Sequence, residues 1–160
     1  MKIDVIRADY LDPRHAADLV FLLDSYALDP MGGGVGLSAE VRASLAASLA
    51  ELPHALSLLC YVDDVPAGLI NCFEAFSTFS CRKLLNIHDL AVLEKYRGLG
   101  LSQRMLDELL VQARERGCVK LTLEVLAGNV PAKRAYEKFG FSPYELDPTQ
   151  GQAQFWQMSV

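Results

Sequence analysis

Residues 96–105, YRGLGLSQRM, place an arginine and two spaced glycines directly before a helical pattern. Glycine adopts backbone angles that other residues avoid, and it leaves neighbouring backbone amides open to a ligand. A helix N-terminus adds unpaired N–H groups and a partial positive charge. The stretch therefore predicts either an anion site or a strand-to-helix turn that needs glycine only for its conformation.

The segments around this stretch predict alternating strands and helices. Residues 84–92, LLNIHDLAV, are typical of a strand, and from residue 101 the apolar residues follow helical spacing until Gly117. Residues 119–126 alternate as a further strand. Asn129 is placed to cap the next helix, and Gly140 is placed to end it.

The remaining elements are predicted from periodicity and turn chemistry. In chain order they are a strand at 2–7, a helix capped by Asp12 with Pro13 in its first turn, a loop at 29–36, a helix capped by Ser38, strands at 55–62 and 65–73 joined at Asp63-Asp64, a polar turn at 78–83, and strands at 142–146 and 153–160. Hairpins favour antiparallel pairing, and strand–helix–strand units favour parallel crossovers. The order predicts an α/β (α+β) fold with a mixed, mostly antiparallel seven-stranded sheet and about four helices, in a single domain over residues 1–160.

Composition narrows the class of function. The net charge is -5, which gives no support for nucleic-acid binding and mildly favours a cationic substrate such as an amine. No apolar run is long enough to span a membrane, and MKIDVIRADY lacks the unbroken apolar region of a signal peptide, so we expect a cytoplasmic protein without a membrane partner.

The cysteines and the tryptophan are expected to be structural. Cys60, Cys72, Cys81 and Cys118 make no CxxC pair, and no His/Cys cluster has metal-ligand spacing, so no metal is expected. Trp156 is expected in the core or an interface.

Two motifs resemble the GNAT superfamily of N-acetyltransferases. The acetyl-CoA motif R/Q-x-x-G-x-G/A matches residues 97–102, with Ser102 in place of the final glycine or alanine. The motif N-x-x-A-x-x-x-Y-x-x-x-G-F matches residues 129–141 in full. The resemblance implies a separation between the fourth and fifth strands, which frees backbone donors for the cofactor.

The resemblance also implies how acetyl-CoA, the co-substrate, is held. The pyrophosphate would lie on amides of the glycine turn, and the pantetheine arm would run along the fourth strand. The expected cofactor-binding residues are Leu90, Ala91, Val92, Arg97, Gly98, Leu99, Gly100, Leu101, Ser102, Asn129 and Tyr136.

Acetyl transfer to an amine needs a base, an oxyanion donor and an acid for the departing thiolate. The family position of Tyr136 implies the acid, and an amide near Leu90 is the natural oxyanion donor. The base stays open among His88, Asp89 and Glu74, with Glu124 as a further candidate. Because His88 and Asp89 are adjacent, we expect them on opposite faces of the strand.

The resemblance further implies that the acceptor site borders the loop at 29–36, where Tyr26, Asp29 and Met31 are its candidate lining residues. The sequence thus predicts direct acetyl transfer, in a ternary complex, to a primary amine of a small molecule or to a protein N-terminus. The alternative is a non-catalytic acetyl-CoA-binding sensor. A homodimer is implied by family habit alone.

Overall fold

A computed structural model describes residues 1–160 and shows one mixed sheet. The strands are β1 (Ile3–Arg7), β2 (Ala55–Val62), β3 (Val65–Ser77), β4 (Arg82–Val92) and β5 (Leu121–Leu123). They lie in the order β1-β2-β3-β4-β5; the first four are antiparallel, and β5 is parallel to β4. The mixed, mostly antiparallel sheet agrees with the prediction from sequence.

The helices are α1 (Pro13–Leu28), α2 (Ala39–Ala50), α3 (Leu101–Glu115) and α4 (Val130–Phe139). The predicted N-caps are confirmed: Asp12 accepts from two amides of α1, Ser38 accepts from the Val41 amide, and Asn129 accepts from the Ala132 amide. These side chains satisfy N–H groups that lack a partner within the helix. None of the helices combines the length and hydrophobicity needed to cross a bilayer.

The tight hairpin between β2 and β3 is also confirmed. Asp63 and Asp64 have φ values of 48° and 63°, and Val62 pairs with Val65 across the turn. A two-residue turn with both central residues at positive φ matches the right-handed twist of the strands, and aspartate tolerates that region.

The chain divides into two compact units, residues 1–123 and 124–160. The first contains the sheet and α1 to α3. The second contains α4 and the C-terminal segment.

The core of the first unit lies on both faces of the sheet, and β2 is buried at all eight positions. On one face Leu59 and Leu69 pack with Leu19 and Leu22 of α1. On the other, the apolar stripe of α3 is buried, as its spacing predicts: Leu101, Met105, Leu106, Leu109 and Ala113. Gly68 permits this packing, because a Cβ there would lie 2.9 Å from Met105 Cε.

The prediction of seven strands was wrong, since residues 142–146 and 153–160 are not strands. A backbone hydrogen bond from Ala153 to Tyr144 joins the two segments, but no ladder forms. Alternation alone does not make a strand without a neighbour to receive its hydrogen bonds. Trp156 is 83% exposed, so it does not lie in the core. The other expected position, in an interface, stays a prediction.

Other strand limits differ from the prediction. β5 covers three residues rather than eight, and the β3–β4 hairpin extends through part of the predicted polar turn. Arg82 and Lys83 pair there with Ser77 and Phe76. Charged residues are compatible with strand ends, where one face is open to water.

Candidate active site

β4 contains one extra residue, His88, opposite β3. Asn71 of β3 pairs with Asp89, while the next residue, Cys72, pairs with Ile87. His88 is therefore left unpaired in a β-bulge. Bulges re-aim side chains and occur often beside active sites.

The bulge brings His88 and Asp89 to the same face of the sheet. The His88 ring packs edge-on against Phe73, with centroids 5.6 Å apart, and Asp89 Oδ2 accepts from Asn71 Nδ2 at 3.0 Å. Asn71 and Phe73 are two positions apart on β3 and so share a face, and Phe73 packs with the core beneath α1. The prediction of opposite faces was wrong, because strict alternation fails at an inserted residue.

Beyond the bulge, the backbone of β4 is open on its β5 side. β5 pairs only with residues 85–87, although β4 continues to Val92. Leu93 N–H donates to Ala67 O of β3, and alternate residues direct their backbone groups to opposite edges. The backbone groups of Leu90 and Val92 therefore point away from β3, and β5 does not pair with them, as the strand separation predicted from the resemblance requires.

The glycine turn leaves space for a ligand before α3. Gly98 and Gly100 have φ values of 82° and 74°, and a Cβ at either would meet nothing within 4 Å. Gly100 is the N-cap residue of α3, and no side chain caps that helix. Open space beside an uncapped helix N-terminus fits the diphosphate group of coenzyme A, and Ser102 lies in the first turn.

The side chain of Arg97 links this turn to the loop after α1. Its Nε donates to Val92 O at 3.2 Å, and its Nη2 donates to Asp29 Oδ2 at 2.8 Å. Asp29 also accepts from the Met31 amide at 2.9 Å. The hydrogen bond from Arg97, followed by that from Met31, lowers the pKa of the Asp29 carboxyl below its usual value.

The structure brings two of the predicted acceptor residues into one electrostatic group with Asp89. Burial raises the pKa of Tyr26, and the charges of Asp89 and Asp29 raise it further. The tyrosine is half-buried on α1, whereas Met31 is exposed. Tyr26 therefore lies within electrostatic reach of both Asp29 and Asp89.

Glu74 lies apart from this group. Glu74 forms ion pairs with Lys83 at 2.8 Å and Arg116 at 3.5 Å, and the hydrogen bond from Lys83 is the main reason that its pKa is lowered. Three positions separate Glu74 from Asn71 on β3, so their side chains lie on opposite faces. Glu124 is exposed at the start of the second unit.

Within the second unit, the Asn/Tyr motif builds α4. Asn129 Oδ1 accepts from the Ala132 amide at 3.3 Å, and Gly140 ends the helix with a φ of 117°. The Tyr136 ring packs edge-on against Phe141, with centroids 5.8 Å apart. Two motif residues thus have evident structural uses, which are compatible with contacts to a cofactor.

Sequence reasoning did not single out Ser57 and Asn71, which support Asp89. Both are buried, and Ser57 Oγ donates to Asn71 Oδ1 at 2.6 Å. Each is a polar residue inside an otherwise apolar strand, in ALSLLCYV and VPAGLINCF. That interruption is the sequence signal that could have identified them, because buried polar groups need partners.

The cysteines do not add a nucleophile to this group. Cys60 and Cys72 are buried, and burial raises the pKa of the Cys60 thiol to about 11. A high pKa keeps a thiol protonated and unreactive. No cluster of three or more His, Cys, Asp or Glu side chains is arranged to hold a metal.

Residues 23–141 match the model of the Acetyltransferase (GNAT) family, and the chain belongs to that family. The glycine turn, the open backbone of β4 and the Asn/Tyr helix all lie within the matched range.

Similar proteins include two acetyltransferases and one solved complex. Over 75 residues the chain is 37% identical to streptothricin acetyltransferase of Streptomyces lavendulae, covering 47% of this chain and 40% of the relative. Over 69 residues it is 33% identical to the ribosomal protein bS18-alanine N-acetyltransferase of Haemophilus influenzae, covering 41% of this chain and 47% of the relative. The matches therefore span less than half the length of these curated relatives.

A solved structure with a similar fold is AAC(6')-Iy in complex with the bisubstrate analogue CoA-S-monomethyl-acetylneamine. The TM-score is 0.79 with full coverage of both chains, and the identity is 12%. At this identity the likeness shows a shared fold alone.

Proposed function

We propose that the protein transfers the acetyl group of acetyl-CoA directly to an amine, with Asp89 binding the amine and accepting its proton. The observation that carries the proposal is the bulge in β4. It presents the Asp89 carboxylate next to the exposed backbone of Leu90 and within electrostatic reach of Tyr26.

The glycine turn and β4 would hold the co-substrate. The amides of residues 98–102 suit the diphosphate, and the outward backbone groups of Leu90, with the Val92 N–H, suit the amides of the pantetheine arm. The Val92 carbonyl already accepts from Arg97 Nε. When bound, acetyl-CoA supplies the activated acetyl thioester. An acyl carbonyl beside β4 would find the Leu90 N–H as a donor for its developing charge.

Asp89 is favoured over the other candidate bases by its surroundings. Its Oδ2 is held by Asn71, and Tyr26 lies nearby. Glu74 is occupied by two cations on the opposite face. His88 shares the face of Asp89 and is the second candidate, although its ring packs against Phe73.

Tyr136 is proposed as the acid that protonates the departing sulfur. This role rests on its place in the family motif of residues 129–141. A phenol is well suited to it, because Tyr is protonated at neutral pH and can donate to a thiolate.

The charges around the proposed acceptor site favour a cationic amine. Asp89 and Asp29 supply two carboxylates, of which Asp29 is neutralised by Arg97. A single carboxylate beside an aromatic hydroxyl suits an ammonium group that must then lose a proton. We therefore propose a small-molecule amine as acceptor, with a protein N-terminal amine as the second class to test.

An acceptor panel with detection of free coenzyme A thiol tests this proposal. The panel contains streptothricin, neamine, polyamines, amino acids and a peptide with an N-terminal alanine. We expect at least one amine to stimulate thiol release, and Asp89→Asn to lower kcat/KM for it by about 10²-fold or more. Asp107→Asn, at an exposed aspartate of α3, is the matched control.

Calorimetric titration with acetyl-CoA separates binding from transfer. Binding without release on any amine would favour the sensor alternative. Release that survives Asp89→Asn would remove Asp89 from the proposal, and His88→Gln would then test the second candidate.

A location in the cytoplasm and a homodimer also stay predictions. Sedimentation velocity, with and without acetyl-CoA, tests the homodimer.

A further inference from the structure

We infer that Tyr10, Ser57 and Asn71 form a directed hydrogen-bond chain that positions Asp89 for reaction with the amine. The inference rests on the proposed role of Asp89. The three residues touch no substrate in this scheme, so they are positioning residues.

The donors and acceptors along the chain can be assigned from valence. Ser57 has one hydroxyl hydrogen, which it gives to Asn71 Oδ1 at 2.6 Å. The Tyr10 hydroxyl, 2.9 Å from Ser57 Oγ, must then be the donor in that pair. Because the oxygen of Asn71 faces Ser57, its NH₂ group faces Asp89 Oδ2, at 3.0 Å. All the hydrogen bonds therefore run toward Asp89.

The burial of the chain explains how it sets one geometry. Ser57 is 1% exposed and Asn71 is 4% exposed, so water does not compete for their hydrogen bonds. A reversed Asn71 amide would put its carbonyl oxygen against the Asp89 carboxylate, which accepts hydrogen bonds and cannot donate them. The Asp89 carboxylate thus fixes which end of the amide it meets, and the Ser57 hydroxyl holds the other end by donating to Asn71 Oδ1.

The hydrogen-bond chain ends at the Asp89 carboxylate, which is only partly buried. Asn71 engages Oδ2 of Asp89, and Oδ1 lies outside this hydrogen-bond chain. A carboxylate held by one oxygen can offer the other to an amine in a fixed direction. The other titratable groups near it are Tyr26 of α1, Cys72 of β3 and its chain neighbour His88.

Two variants test the inference with an amine that the acceptor panel identifies. Ser57→Ala removes the donor that holds Asn71 Oδ1, and we expect kcat/KM for the amine to fall about tenfold. Asn71→Asp keeps the shape but replaces the donor with an oxygen. Two carboxylates at this distance share a proton, so we expect the acid limb of the kcat/KM profile to move by about one pH unit toward higher pH.

The readouts separate a positioning role from a structural one. Acetyl-CoA affinity, measured by calorimetry, should stay within about twofold of wild type in both variants, which shows that the fold is intact. Ser44→Ala is the matched control, because it removes a serine hydroxyl that bonds within α2. The same amine is used throughout, so its own ionisation does not cause a difference.

The inference is overturned if both variants bind acetyl-CoA normally and keep the wild-type rate and pH profile. If Ser57→Ala is insoluble, Asn71→Asp and Tyr10→Phe carry the test, with a smaller loss expected for Tyr10→Phe. Asp89→Asn distinguishes a failure of the proposed function from a failure of the positioning inference. Normal activity in that variant removes Asp89 from the proposed function, whereas a large loss there with no change in Ser57→Ala and Asn71→Asp rejects only the positioning chain.

Discussion

Arg97 Nη2 and Asp29 Oδ2 lie 2.8 Å apart and join the glycine turn to the loop that follows α1. Arg97 belongs to the motif expected to hold acetyl-CoA, and Asp29 belongs to the loop expected to border the acceptor. The ion pair therefore connects two segments far apart in sequence that the proposed reaction needs together. Asp29 also accepts from the Met31 amide, so the same carboxylate shapes its own loop.

Asp29→Asn should raise the KM of the amine while lowering the free energy of unfolding only slightly. The amide can still accept from Met31 but loses its charge opposite Arg97. We expect the KM of the amine to rise about threefold to tenfold. The ion pair is partly solvent-exposed, so the free energy of unfolding should fall by at most about 1 kcal/mol.

The control for this prediction is Asp4→Asn, which breaks the exposed Lys2–Asp4 ion pair at 2.7 Å. Steady-state kinetics and urea unfolding measure the two effects. An unchanged amine KM in Asp29→Asn would show that the link does not serve the acceptor site.

Gly100→Ala should reduce acetyl-CoA affinity, and Gly117→Ala should not. The two glycines flank α3 with φ values of 74° and 71°, and neither Cβ would meet a neighbour within 4 Å. Each substitution should cost about 1 kcal/mol of stability, because alanine disfavours positive φ. Only the methyl at residue 100 would enter the proposed diphosphate site, and we expect its Kd to rise at least about tenfold.

Calorimetric titration with acetyl-CoA and urea unfolding test this pair of variants together. Equal losses of affinity in both would attribute the effect to helix strain rather than to a ligand contact.

Tyr136→Phe should lower kcat with little change in the Kd of acetyl-CoA. The substitution removes the hydroxyl but keeps the ring that packs against Phe141. General acid catalysis contributes about 10²-fold or more, so a loss of that order is expected, together with loss of the basic limb of the kcat profile. Tyr144→Phe, at an exposed tyrosine of the same unit, is the control, and a wild-type rate in Tyr136→Phe would exclude the acid role.

Glu74→Gln should change stability in a pH-dependent way and leave transfer intact. Lys83 lowers the pKa of Glu74 in the folded state, so the charged carboxyl stabilises the fold above the usual glutamate pKa. That contribution disappears as the pH falls through the lowered folded-state pKa. We expect the variant to lose about 1 kcal/mol at pH 7 and to converge with wild type in acid.

Urea unfolding across this pH range checks the Glu74 prediction, with Glu115→Gln at an exposed site as control. A fall of kcat/KM in Glu74→Gln comparable with that of Asp89→Asn would instead return Glu74 to the group of candidate bases.

Much of the fold could be predicted because its signals are local. The helix caps at Asp12, Ser38 and Asn129 act within one turn of the chain, and the Asp63-Asp64 hairpin is set by two residues. The glycine motif likewise depends on neighbouring residues. The two C-terminal strands were predicted from the alternation of residues along the chain. A strand also needs a neighbouring strand to receive its backbone hydrogen bonds, and alternation does not show whether one is present.

The sequence by itself determined the family, the order of elements through α4 and the glycine turn, since motif spacing and periodicity are properties of contiguous residues. Only the tertiary structure decided that Asp89, and not Glu74, lies beside Asn71 and within electrostatic reach of Tyr26. The bulge at His88 is defined by the pairing of β3 with β4, so it cannot be recognised in the sequence of either strand alone. The same pairing brings Asn71 to Asp89 and separates Glu74 from them, because side-chain direction in a sheet depends on register between strands.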